Sequence, residues 1–241
     1  MMKNNIIIRQ PESIYQAHGT LQNGTFHGRW HFSFDRYHDP EYTHFGTLRV
    51  FNDDTLSLGA VWPLHPHRDI EVVTYCADGE FRHEDEHGKG GILKKGWVQH
   101  TTVGSGMWHS EINNRSDVPM RFIQMWFIPS KKGLKPSVEQ KAVKKADRTN
   151  RFLPLVSNDH PEALKIFSDA QVYSCFLQTG RTVKHELKAT RGAYLYVFEG
   201  GPVRVNDHLV PTLGAAKITG EIELSLSAEK DTELFLVDVV L

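Results

Sequence analysis

Cysteine is scarce in this chain. Cys76 and Cys175 are the only two in 241 residues, they lie far apart, and neither belongs to a C-x-x-C pair. That excludes a disulfide-stapled scaffold and a cysteine-built zinc module, and reads as two reduced thiols in a cytosolic protein. Long apolar runs are missing as well. None approaches the roughly 18 residues of a membrane-crossing helix. The only apolar run near the start, residues 6–8, is far shorter than the about 7–15 residues of a signal peptide core. We therefore expect a cytoplasmic protein with no membrane partner. Charge of one sign is lacking too: 28 basic side chains against 29 acidic ones leave −1, which gives no general attraction for nucleic acid. The local exception is residues 131–151, where eight Lys and Arg stand against Glu139 and Asp147. This stretch reads as a solvated connector, or alternatively as a basic patch for a protein partner. No P-loop and no G-x-G-x-x-G is present in a strand–helix setting, and Gly104-Ser105-Gly106 lacks the G-x-S-x-G elbow of a serine nucleophile.

The chain does carry short alternating runs broken by turns. Residues 30–34 alternate aromatic and polar, 45–51 read as another strand, and 120–128 (MRFIQMWFI) are nearly continuously apolar, as in a central strand. Asn23-Gly24, Asp39-Pro40 and Asp78-Gly79 supply turns. After residue 170 the pattern repeats in QVYSCFLQ, AYLYVFEG and TELFLVDVVL, which fits a second sandwich or barrel. Between the halves, Pro129, Pro136, Pro154 and Pro161 exclude long regular elements. A short helix capped by Ser137 is expected over 137–145, and a helix start or turn at 160–164.

The chain is also rich in histidine, with 14 residues. His65 and His67 are two apart, as are His109 and Glu111. In a strand, residues i and i+2 share a face, so each pair presents two donor atoms on one side. If the two strands lie together, three imidazoles and one carboxylate converge. That set suits one divalent transition metal, Fe, Ni, Cu, Mn or Zn, with a position left for water or substrate. His27, His31, His38 and His44 show no such pairing and read as structural or surface residues. Cys76 falls out of phase with His65 and His67.

The glycine framework sharpens this. Gly59-x5-His65-x-His67-x3-Glu71 followed by Gly79 resembles the first cupin motif, and Gly106-x2-His109-x3-Asn113 the end of the second. HPHRDIEVVTY, GEFRHED and GSGMWHSE, with HFSFDRYHDPE, FGTLRVFNDD and GLKPSVEQK, resemble the pirin family across residues 27–141. The family's H-x-D-S-x-G-N run is here His83-Glu84-Asp85-Glu86-His87-Gly88-Lys89. The resemblance implies an all-β bicupin of two jelly-roll barrels with short connecting helices. Its parts are a metal-binding cupin domain over 1–132, a connector over 133–165, and a C-terminal cupin-like domain without a metal set over 166–241. It implies His65, His67, His109 and Glu111 as metal ligands, with iron first among the metals, and leaves Glu71 a supporting or structural role.

The implied activity is quercetin 2,3-dioxygenase-like cleavage of quercetin or a related flavonol with dioxygen, with Glu111 as the base. Trp108, Trp126 and Phe45 are candidates for an aromatic pocket. A monomer is expected. The alternative is a metal- or redox-sensing regulator that binds a transcription factor or metabolic enzyme without turnover, using the basic segment 131–151. Zinc hydrolysis is a weaker reading, because no separate general base stands at a convincing spacing.

Overall fold

The computed structural model describes residues 5–88 and 90–241, so Lys89 of the loop singled out above lies outside the described residues. The regular structure of the described residues is strand, with two 3-10 turns at Pro11–Ser13 and Lys145–Arg148. Two seven-stranded sheets and two four-stranded sheets make an all-β bicupin. None of the described helical turns is long and apolar enough to cross a membrane.

In the first half, the large sheet runs in the order Ser137–Lys141, Val98–Thr102, Glu71–Asp78, Met120–Phe127, Leu48–Leu56, Gly24–Trp30, Tyr15–Leu21. The small sheet that belongs to it runs Val61–His67, Met107–Asn113, Glu80–Asp85, Gly90–Lys94. In the second half, the large sheet is built on Thr232–Val240 between Arg191–Glu199 and Ala170–Leu177. Its far edge is the N-terminal strand Asn5–Arg9, which pairs with Ala215–Thr219. The first described strand thus lies in the second half's sheet, ahead of the strands of the first half.

The two large sheets pack face to face. One core cluster takes Phe51, Tyr75, Ile123 and Met125 from the first half and Tyr194, Tyr196, Phe235 and Val237 from the second. Their other faces look into separate barrels. A strand covered on both faces has no polar side to show, which is why 120–128 reads as continuous apolar sequence. A buried polar tie crosses the junction. Arg121 donates Nε to Asp53 Oδ1 at 2.8 Å and Nη2 to Asp53 Oδ2 at 2.6 Å, and the Tyr196 hydroxyl donates to the same Oδ2 at 2.5 Å.

The interior of the second barrel is apolar. Val183, Leu187, Leu195, Leu224, Leu226 and Leu236 fill it as one apolar cluster. In the connector, the helix expected over 137–145 is replaced by a strand. Ser137–Lys141 pairs antiparallel with Val98–Thr102, and its alternating exposure over the first four residues has the period of two. Ser137 is therefore no helix cap. An edge strand with open ladder positions offers this segment a full set of backbone bonds, which outweighs a weak helical propensity. Only Lys145–Arg148 turns, as a 3-10 helix, and 160–164 forms a turn closed by Ala163 N–H to His160 O at 3.2 Å.

Candidate metal centre and its pocket

Strand Met107–Asn113 lies antiparallel to Val61–His67, with His109 opposite His65 and Met107 opposite His67. Alternation turns the imidazoles into the barrel and leaves Leu64 outside, 51% exposed. One ring nitrogen from each of His65, His67 and His109 lies within 4.8 Å of the other two. The His65 ring centroid is 4.7 Å from that of His67 and 4.5 Å from that of His109.

The hydrogen bonds assign the free nitrogens. His65 Nδ1 donates to the Pro63 carbonyl at 2.7 Å, which leaves its Nε2 lone pair available. His109 Nδ1 sits 2.9 Å from His83 Nε2, and with Nδ1 as donor the Nε2 of His109 is likewise bare. The buried Nε2 atoms of His67 and His109 have no partner. An unpartnered buried nitrogen costs about 1–3 kcal/mol, and bare imidazole nitrogens aimed at one point are what a cation satisfies.

Burial also favours the neutral form of two of the rings, the form a ligand needs. Burial pushes His109 down to about 2, helped by His65, His83 and His67, and pushes His67 down to about 4, helped by His65. Burial likewise takes His83 down to about 4, against the opposing pull of Asp85. These residues fit a divalent metal.

Glu111 points into the same cavity but stands outside the 4.8 Å group. A bulge between His109 and Glu111 sets Glu111 opposite Trp62 on one side, and His83 faces it on the other. Its Oε1 accepts from Gln124 Nε2, and Gln124 Oε1 in turn accepts from Trp126 Nε1 at 2.7 Å. Burial raises the Glu111 pKa, opposed by His65 and by the Gln124 hydrogen bond. A buried carboxyl of raised proton affinity is suited to taking a proton from substrate near neutral pH.

The cavity encloses about 410 Å³, with aromatic walls of Phe26, Trp30, Phe34, Trp62, Phe122 and Trp126. That is within the range that takes a drug-sized planar molecule. The Trp126 ring stands edge-on to His67 at 4.6 Å.

Of the aromatic candidates, Trp126 alone lines this cavity. Trp108 alternates to the outer face of its strand and is 48% exposed, and Phe45 packs between the halves against Tyr194. Glu71 is structural. Its Oε2 accepts from His100 Nε2, Thr102 Oγ1 and the Phe167 amide at 3.0–3.1 Å. Glu71 stands an even number of residues from His65 and His67 yet does not share their face, because Asp69 takes φ 51 and the chain there leaves the small sheet for the large one. Cys76 sits in an apolar cluster with Phe81 and Phe122, where burial pushes its thiol up to about 12. His31 is fully buried and bonds Tyr194 at 2.8 Å, a structural role.

Sequence reasoning did not single out His83 and Gln124, the residues that hold His109 and Glu111. His83 has the inward parity of its strand, the one available signal; Gln124 is the lone amide in an apolar run. The basic segment is partly spent inside the fold. Arg148 is 4% exposed and bonds Glu233 at 2.8 Å, and Lys145 Nζ lies 3.5 Å above the Phe176 ring.

Residues 13–127 match the family described as Pirin, and residues 155–239 match the quercetinase C-terminal cupin domain. A pirin-like protein of Caulobacter vibrioides is 37% identical over 222 residues, covering 91% of this chain and 95% of its own. A protein of Escherichia coli K12 named quercetin 2,3-dioxygenase is 31% identical over 211 residues, covering 87% and 90%. The solved structure of the Escherichia coli pirin YhhW in complex with nickel(II) overlays with a TM-score of 0.88 at 29% identity, over 98% of this chain and 99% of that one. With two cupin halves in order, a three-histidine centre in the first and near full-length relatives of this kind, the chain belongs to the pirin family.

Proposed function

We propose that this protein is a metal-dependent dioxygenase of pirin type that cleaves quercetin or a related flavonol with dioxygen. The observation that carries the reading is the group of imidazole nitrogens of His65, His67 and His109 within 4.8 Å of one another, beside an aromatic cavity lined by His65, His67 and Glu111. The quercetin 2,3-dioxygenase name of the Escherichia coli relative points to the same chemistry.

His65, His67 and His109 would hold the metal, with Glu111 as fourth ligand. A redox-active ion with open positions lets dioxygen react with a singlet organic molecule. Iron is the first expectation, and the nickel(II) of YhhW makes nickel a direct competitor. Glu111 accepts the proton of the flavonol 3-hydroxyl, and Gln124 keeps the receiving carboxylate in place. Trp126, Trp62 and Phe34 supply apolar wall for the planar substrate. Oxygen then adds across the heterocycle, whose opening releases carbon monoxide.

The test is aerobic quercetin consumption with carbon monoxide detection, on protein stripped of metal and reloaded with Fe(II), Ni(II), Cu(II) or Mn(II) in turn. Metal-dependent carbon monoxide release, lost in Glu111→Gln and His67→Ala, is the expected result. Full metal occupancy with no carbon monoxide from any reloaded sample refutes the flavonol reading.

A further inference from the structure

Across the cavity from His65 and His67, the strand Leu48–Leu56 of the large sheet presents two polar side chains, Asn52 and Asp54, among the aromatic lining. Asn52 and Asp54 are two apart, so they share a face. Each is 3% exposed. Asn52 Oδ1 is buried and has no hydrogen-bond partner. Asp54 Oδ1 accepts from Trp30 Nε1 at 3.0 Å.

The position is built. Asn52 sits in a row between Trp30 and Gln124, and Asp54 between Gly28 and Phe122. Asp54 lies over Gly28 so closely that a Cβ there would fall 1.8 Å from its Oδ1. Glycine at 28 is what lets the carboxyl lean toward the Trp30 indole. Burial raises the Asp54 pKa above its ordinary value, opposed by the Trp30 bond and helped by Asp53 and Glu111. With Oδ1 taken by the indole, Oδ2 is the free oxygen, and it donates when the carboxyl is protonated, the form that burial favours. Asn52 contributes the matching acceptor. A donor and an acceptor side by side complement a group that accepts and donates at once, and a phenolic hydroxyl does both.

We infer that Asn52 and Asp54 form a specificity subsite for a phenolic hydroxyl of the substrate, on the wall facing the metal centre. This deepens the flavonol reading and rests on it. It makes the substrate class polyhydroxylated, since one hydroxyl goes to the metal and a second to this pair. Filling the subsite also satisfies Asn52 Oδ1, so a ligand without that hydroxyl leaves a buried polar atom unpaired.

The experiment is anaerobic titration calorimetry of the metal-loaded protein with quercetin and with 3-hydroxyflavone. Both carry the metal-binding 3-hydroxyl, and only quercetin carries the others. Quercetin is expected to bind about 10–100-fold more tightly, the worth of one or two hydrogen bonds. Asn52→Leu removes the acceptor and brings quercetin down toward 3-hydroxyflavone. Asp54→Asn keeps a donor beside an acceptor for Trp30 and retains the preference. Equal binding of the two flavonols by the wild type overturns the subsite and leaves the flavonol reading standing. So does a quercetin preference that survives Asn52→Leu. Binding of neither flavonol overturns both.

Discussion

Replacing Gln124 with leucine removes the hydrogen bond that holds the Glu111 carboxylate. Gln124 Nε2 donates to Glu111 Oε1 inside the barrel, where both side chains are buried. A hydrogen bond to a charged group is worth about 1.5–3 kcal/mol. At 1.36 kcal/mol per unit, its loss raises the Glu111 pKa by about 1–2 units. The sign follows from the donor: it favours the ionised carboxylate, so removing it favours the protonated acid. If Glu111 must be ionised to accept the substrate proton, the acidic limb of kcat/KM moves to higher pH by that amount. The pH of half-maximal metal occupancy, followed by equilibrium dialysis, moves the same way if Glu111 is a ligand. Gln124→Leu also strips the acceptor from Trp126 Nε1, so Trp126→Phe, which deletes that bond and keeps Gln124, is the control. It should leave the limb in place. A limb unmoved by Gln124→Leu in a folded, metal-loaded protein refutes the assignment of Glu111 as base.

Three further outcomes are expected. His67→Ala loses stoichiometric metal by elemental analysis, and with it the stabilisation of about 2.7 kcal/mol that a ligand at 100 times its Kd confers. Trp108→Ser, on the outer face, leaves metal content and activity unchanged and shifts unfolding by less than about 0.5 kcal/mol; a loss of activity would place Trp108 in the pocket after all. Asp53→Asn breaks the tie between the halves and leaves Arg121 without its counter-charge, which should lower stability in urea by about 3–5 kcal/mol; a change below about 1 kcal/mol, the range of an exposed pair, would mean the tie is solvated.

The candidate metal set was legible because its signal is local. His65-Pro66-His67 and His109-Ser110-Glu111 each fix a shared face through strand alternation, and the glycines around them mark the turns. The structure brings the three histidines together. Parity failed where a strand changed sheets. Nothing in HPHRDIEV announces that Asp69 turns over at φ 51, which takes Glu71 off the face its spacing from the histidines would give and lets it bond the Phe167 amide. Trp108 had an adjacent histidine to recommend it, and alternation alone places it outside. The strand Ser137–Lys141 was missed because its ladder partner, Val98–Thr102, lies far back in the chain.

The sequence by itself determined what depends on near neighbours: an all-β chain, two barrels in order, and the pairs of donors that face one way. The tertiary structure decided which distant residues complete them. His83 orients His109, Gln124 holds Glu111, and Asn52 with Asp54 stands across the cavity, each from a different strand of the fold. It also decided that Asn5–Arg9 closes the second half's sheet. The physical reason is the same throughout. Alternation sets the side a residue faces within its own strand, while strand order and register, settled by burying both faces of the large sheets at once, set what stands opposite.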